Sequence, residues 1–220
     1  MTAKVVLFDF DGTIADTYNA IAKITNQLSS EFGYKALTPE EQLLLKNLSS
    51  REIVKLSEIS IFKIPFLVRR VRSELSKEIG ELSPIQNISG VLFELKNRGY
   101  TLGIVTSNNK ENVEIFLRKN KLSSLFRYIY SSTSIFGKHR IINQAIRSNK
   151  LIRANVMYVG DETRDIRSAR RSNIGIAAVG WGFNSAEILE EYEPDYLLHQ
   201  PQELVEAIEL YYSQTITPSA

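Results

Sequence analysis

Two hydrophobic textures divide the chain. In residues 4–15 and again over residues 85–211, short apolar runs alternate with stretches whose apolar positions recur every three or four residues. The runs Lys4–Phe10, Thr101–Thr106, Tyr128–Ser131, Asn155–Gly160 and Ile174–Val179 read as strands. Between them, Val91–Arg98, Lys110–Asn120, His139–Ser148 and Thr163–Ser172 read as amphipathic helices, with Ser185–Tyr192 and Pro201–Tyr211 as two more at the end. This alternation predicts βαβ units and a parallel sheet. The tail Ser213–Ala220 has the composition of a segment without fixed structure.

Residues 17–80 carry almost no strand pattern. Asp16 is placed to cap a helix reaching Phe32. Thr38-Pro39-Glu40-Glu41 is a helix start with proline at the first helical position, Ser50 would cap a helix through Glu58, and Pro65 opens a further helical region reaching Ile79. The expected organisation is therefore a core of residues 1–16 and 81–220 interrupted by a helical unit, residues 17–80. An insertion directly after the first strand is well placed to act as a lid.

Where the first run stops, chemistry begins. In Val5-Val6-Leu7-Phe8-Asp9-Phe10-Asp11-Gly12-Thr13 a buried strand ends in two carboxylates one residue apart, followed by a glycine. Open α/β sheets bind ligands at the carboxyl ends of their strands, so both acids fall where a ligand would sit. The pair suits a hard cation such as Mg2+. It also suits a division of labour in which one carboxylate attacks and the other moves protons.

Three later elements have the same placement. Thr106-Ser107-Asn108 closes a strand ahead of a helix, where free N–H groups favour an anion, although a plain helix cap explains the same residues. Lys138 follows Phe136-Gly137 at a helix start and can neutralise a phosphate; a solvated lysine is the plainer reading. Asp161 and Asp165, one helical turn apart after Gly160, suit metal ligation or helix capping.

Composition removes other classes. The chain has 220 residues, 43% hydrophobic and 24% charged, which is ordinary for a globular protein. A net charge of +2 is too weak to argue for nucleic acid, and the basic stretches Lys138-His139-Arg140 and Arg164 to Arg171 read as solvated helix faces. Having no cysteine, the chain has no disulfides, thiolate metal ligands or thiol nucleophile, which fits a reducing compartment. With no signal-peptide pattern and no apolar stretch of about 20 residues, the expectation is a cytoplasmic protein without membrane partners.

Taken together and in order, Asp-x-Asp-Gly-Thr, Thr-Ser-Asn, Lys and Gly-Asp-x-x-x-Asp make the chain resemble the haloacid dehalogenase superfamily of phosphohydrolases over nearly its whole length. Asp9-Phe10-Asp11-Gly12-Thr13 matches the first motif closely. Thr106 matches the second, Lys138 the third, and Asp161 with Asp165 the fourth; Lys138 is followed by His139 where the family often has proline.

The resemblance implies an α/β fold, a Rossmann-like parallel sheet with a helical cap inserted after the first strand. Gly180-Trp181-Gly182 looks like the phosphoglycolate-phosphatase-like branch. Also implied are an Asp9 nucleophile forming an aspartyl-phosphate, Asp11 as proton carrier, and Lys138 as charge partner. Thr106, Ser107 and Asn108 would hold phosphate, and Mg2+ would sit on Asp9, Asp11 (through its carbonyl) and Asp161, supported by Asp165. Because Asp11 is present, phosphate-ester hydrolysis is favoured over dehalogenation.

The expected function is a Mg2+-dependent phosphatase acting on a small phosphorylated metabolite, as monomer or homodimer. A sugar phosphomutase is the alternative, and a non-catalytic phospho-ligand-binding module a more distant one. In the cap, Lys46, Ser50 and Arg51 form a polar cluster at a helix start, with Lys46 and Arg51 expected to reach a distal anion of the substrate, although an ordinary capped surface helix explains them as well. Trp181 either borders the pocket or packs in the core.

Overall fold

The first apolar run forms β1 (Val5–Phe8), whose four residues are all buried. In the computed structural model, which describes residues 3–132 and 137–215, β1 lies inside a six-stranded sheet. The other strands are β2 (Thr101–Thr106), β3 (Phe126–Ser131), β4 (Val156–Gly160), β5 (Gly175–Val179) and β6 (Tyr196–Leu198). Their order is β3-β2-β1-β4-β5-β6 and every pairing is parallel. Strand order reverses at β1, which pairs with β2 on one side and β4 on the other; such a switch point opens a crevice at the strands' carboxyl ends.

The two-residue period of β1 sorts its side chains into two cores. Val6 and Phe8 face one cluster and Val5 and Leu7 the other. The helices are α1 (Tyr18–Gln27), α2 (Ser29–Phe32), α3 (Pro39–Leu45), α4 (Ser50–Leu56), α5 (Ile64–Glu78), α6 (Ile88–Asn97), α7 (Lys110–Lys119), α8 (Lys138–Ser148), α9 (Thr163–Arg171), α10 (Ala186–Glu190) and α11 (Leu204–Thr215). Leu92 and Leu95 of α6, Phe116 of α7 and Ile208 of α11 cover the Val6–Phe8 face. Ile142 of α8 and Ile166 of α9 cover the opposite one.

Helices α1 to α5 lie between β1 and β2 in the chain. Ile24, Leu28, Leu75 and Ile79 attach them to the Val6–Phe8 core. Their starts differ from the sequence reading in two places. The α4 cap is Ser49, whose side chain accepts from the Glu52 N–H while Glu52 returns a bond to the Ser49 N–H. That reciprocal box needs an acid three residues after the cap, and Ser50 has Ile53 there. Asp16 is exposed, and Thr17 occupies the cap position of α1 without a side-chain cap bond.

Two further differences lie near the C-terminus. Strand β6 has only three residues, too few to show a period, and went unread. Of the tail expected to lack structure, Ser213–Thr215 continue α11; residues 216–220, like Phe136, lie outside the described residues.

Candidate active site

Asp9 is the first residue beyond β1, and its N–H still pairs with the Val159 carbonyl of β4 at 2.8 Å. This last ladder bond aims a 2% exposed carboxylate over the sheet's end. Its Oδ1 accepts from the Phe10 N–H at 2.8 Å and its Oδ2 from the Lys138 ammonium at 2.6 Å.

The chain then turns through Gly12 at φ +72°, a conformation side chains disfavour, and a Cβ there would overlap the Asp161 carboxylate. Gly182 approaches the same carboxylate from the loop after β5 and is equally intolerant of a Cβ. Asp161 follows β4, accepting from the Thr13 hydroxyl at 2.7 Å and from the Phe183 N–H at 2.7 Å.

Lys138 opens α8 and is 2% exposed, so the solvated reading fails for this residue. Its ammonium bridges Asp9 and Asp165. Burial alone would lower its proton affinity, yet the Asp165 and Asp9 carboxylates outweigh burial and push it up. Asp165, fully buried, exchanges bonds with the Glu162 backbone at the start of α9. Its pKa is pushed up to about 6 by burial, with Lys138 opposing and Asp9 and Glu162 adding to the rise.

Asp9, Asp161 and Asp165 present carboxylate oxygens that all lie within 4.8 Å of one another. Three buried oxygen donors fit a hard divalent cation. The electrostatics agree: Asp161 is driven well above the usual carboxylate range by burial, then by Glu162, Asp9 and Asp165, a charge surplus that a cation would relieve. Asp11's side chain is not among the three. The Asn108 amide donates to both its oxygens, at 2.9 and 3.1 Å. Burial and then the Asp9 charge push Asp11 up to about 7, while the Asn108 bonds hold it down. The two acids of the opening motif thus sit in distinct environments.

At the end of β2, Thr106 is fully buried and its hydroxyl accepts from the Asn108 N–H at 2.9 Å, a bond that does not use the hydroxyl proton. Ser107 and Asn108 line a crevice of about 230 Å³ beside Asp11, between the sheet and the cap. Asn108, expected on phosphate, has its amide on Asp11.

The two cap residues singled out from sequence part company. The Lys46 ammonium donates to the Gly182 carbonyl at 2.9 Å and lies 4.1 Å from the Tyr18 ring centre, fastening the cap to the Asp161 loop. Arg51 is exposed and lines a second crevice with Arg140, Arg164, Arg167 and Arg171, whose lining does not include Asp9 or Asp11. Trp181 is part-buried against the core and donates its indole N–H to the Thr13 carbonyl at 3.3 Å.

Two arginines beside Asp11 were missed. Arg164, read as part of a solvated face, is only 21% exposed at its side chain and pairs with Glu162 at 2.5 Å. Its place inside Gly-Asp-x-x-x-Asp was the available signal. Arg72 of α5, 8% exposed, had none, because it lies on a helix whose orientation depends on packing.

The chain matches the family model described as haloacid dehalogenase-like hydrolase over residues 6–179. It is 35% identical over 205 residues to a phosphoglycolate phosphatase from Synechococcus elongatus, covering 93% of this chain and 97% of that protein. A pyrophosphatase PpaX from Oceanobacillus iheyensis is 24% identical over 209 residues, covering 93% and 96%. Among solved structures, a haloacid dehalogenase-like family hydrolase from Streptococcus pneumoniae superposes with a TM-score of 0.76 at 26% identity, covering 93% and 97%. A predicted phosphatase from Clostridium acetobutylicum shares the fold, with a TM-score of 0.82 at 22% identity, covering 96% and 100%.

Proposed function

The chain belongs to the haloacid dehalogenase-like hydrolase family, and we propose that it is a Mg2+-dependent phosphatase hydrolysing a small phosphate monoester through an aspartyl-phosphate. One observation carries the reading. Two carboxylates two positions apart are held for different tasks: Asp9 is fixed by the Phe10 N–H and Lys138, and Asp11 is pushed up to about 7 beside an open crevice. Separated environments of this kind identify acid–base assignments.

In the first step an Asp9 oxygen forms a bond to phosphorus as the ester bond breaks, and Asp11 gives its proton to the departing oxygen. In the second, Asp11 takes a proton from water, the water oxygen attacks phosphorus, and Asp9 is released with inorganic phosphate. A group titrating near neutrality serves both steps. Lys138 supplies a fixed positive charge beside the reacting carboxylate, and the Thr106 hydroxyl with the Ser107 N–H would hold phosphoryl oxygens.

Asp9, Asp161 and the Asp11 carbonyl, with Asp165 in support, would hold the Mg2+. When bound, the ion supplies charge neutralisation for the phosphoryl group. The relatives are named for phosphate release rather than for phosphoryl return, which supports hydrolysis over mutase chemistry.

The test is phosphate release from p-nitrophenyl phosphate, 2-phosphoglycolate and pyrophosphate with and without Mg2+. Activity should require the ion and fall by at least about 10⁴-fold in Asp9→Asn. A folded wild-type protein inert toward all three would defeat the proposal.

A further inference from the structure

The crevice beside Asp11 is lined on its cap side by apolar residues of α1 and α5, including Ile21, Leu67, Val71 and Leu75. Among the described cap residues that line it, Arg72 is the only ionisable one. The core supplies Asp11, Glu162 and Arg164. Two arginines on different elements therefore line the crevice, Arg72 from the cap and Arg164 from α9. The Asn112 side chain donates to the Arg72 carbonyl at 3.4 Å, tying this turn of α5 to α7.

Glu162 partly offsets Arg164 through their 2.5 Å ion pair. Arg72 is attracted by Asp11 and repelled by Arg164, and burial, the largest influence, works against its charge. Like charges lining one crevice repel each other, and an anion bound in that crevice turns that cost into attraction. Guanidinium forks are also the side chains best matched to carboxylate and phosphate oxygens.

We propose that Arg72, with Arg164 beside it, binds a second anionic group of the substrate, a carboxylate or phosphate at the far end of a short chain whose ester oxygen lies at Asp11. The proposal rests on the phosphatase reading and names its substrate class: small phosphate monoesters bearing a distal anion. A volume of about 230 Å³, below the usual size of drug-binding pockets, admits a linker of roughly two to four carbons. Selectivity then comes from the cap through Arg72 rather than through Lys46 or Arg51.

The experiment compares kcat/KM for 2-phosphoglycolate with that for 2-hydroxyethyl phosphate, an ester of similar length with a neutral end. Wild-type protein should prefer the anionic ester by at least about 30-fold, since a site built for a charged partner rejects the analogue lacking it. In Arg72→Met that preference should collapse, mainly through KM for 2-phosphoglycolate, and Arg72→Lys should fall between the two. Equal kcat/KM for the two esters in wild type, or a uniform loss on both in Arg72→Met, overturns the distal-anion site. If Arg72→Met fails to fold, the wild-type preference and Arg72→Lys decide. A wild-type protein that turns over neither ester nor p-nitrophenyl phosphate overturns the phosphatase reading, and this site with it.

Discussion

The sheet and the cap both border the crevice beside Asp11 but are held by different means. Every residue of β1, β4 and β5 is buried, and the charges at their ends are tied to one another across the sheet, Lys138 to both Asp9 and Asp165, and Thr13 to Asp161. In the cap, α3 and α4 bury no residue, and Phe62 and Phe66 stand 81% and 56% exposed. Their starts are set by local capping boxes rather than by packing. The groups proposed to react thus sit on the part with the least freedom, and the proposed recognition of substrate reaches in from the part with the most. Sparse burial is the physical signature of a region that opens at low cost.

Removing the ammonium should test the sheet's side most severely. Lys138→Met leaves the Asp9 and Asp165 carboxylates buried together without their shared cation, with an expected loss of about 3–5 kcal/mol in urea unfolding. A loss below about 1 kcal/mol would mean that the sheet end is no more tightly tied than the cap.

A smaller effect is expected from pH. Asp11 and Asp165 have raised affinities for their protons in the folded protein, about 7 and about 6, so between the unfolded carboxylate value near 4 and these values the folded state binds more protons than the unfolded one. Stability of the metal-free protein therefore falls as pH rises, by about 1–2 kcal/mol from roughly pH 5.5 to roughly pH 8. Added Mg2+ should flatten that slope, measured as urea midpoints across the range. A metal-free protein that gains stability over this interval would contradict the crowding of carboxylates.

The smallest change belongs to the cap. Ser49→Ala removes one half of the α4 capping box and should cost about 1 kcal/mol. A cost several times larger would show α4 to be built into the fold as firmly as the sheet, erasing the contrast.

What the sequence disclosed follows the same divide. Asp9, Asp11 and Asp161 could be singled out as candidates because apolar runs end at them, and strand ends in a parallel sheet converge by topology; Lys138 and Asp165 could be singled out only from their place in the order of the motifs. The absence of a strand pattern over residues 17–80 also agrees with the helices α1 to α5 found there. The sequence pattern could not tell Ser49 from Ser50 as a cap until the Glu52 spacing was weighed, nor find β6 in three residues. Arg164 was hidden inside an arginine-rich run whose other members, such as Arg167 and Arg171, are exposed. Arg72 shows the deeper limit: one face of α5 comes to line the crevice through its packing on α1 and the Asn112 bond from α7, and no local pattern encodes that placement.

The inner position of β1 bears on how the protein comes into being. This strand, with both acids at its end, is synthesised well before its neighbours, which begin at Thr101 and Val156. Until β4 is synthesised, the run Val5–Phe8 lacks one of its two ladder partners, and Asp161 and Asp165 do not yet exist. Such distant pairings fold slowly and leave sticky intermediates. The candidate site is therefore completed late in synthesis, so a chain halted partway carries Asp9 and Asp11 without the carboxylates that complete the buried cluster.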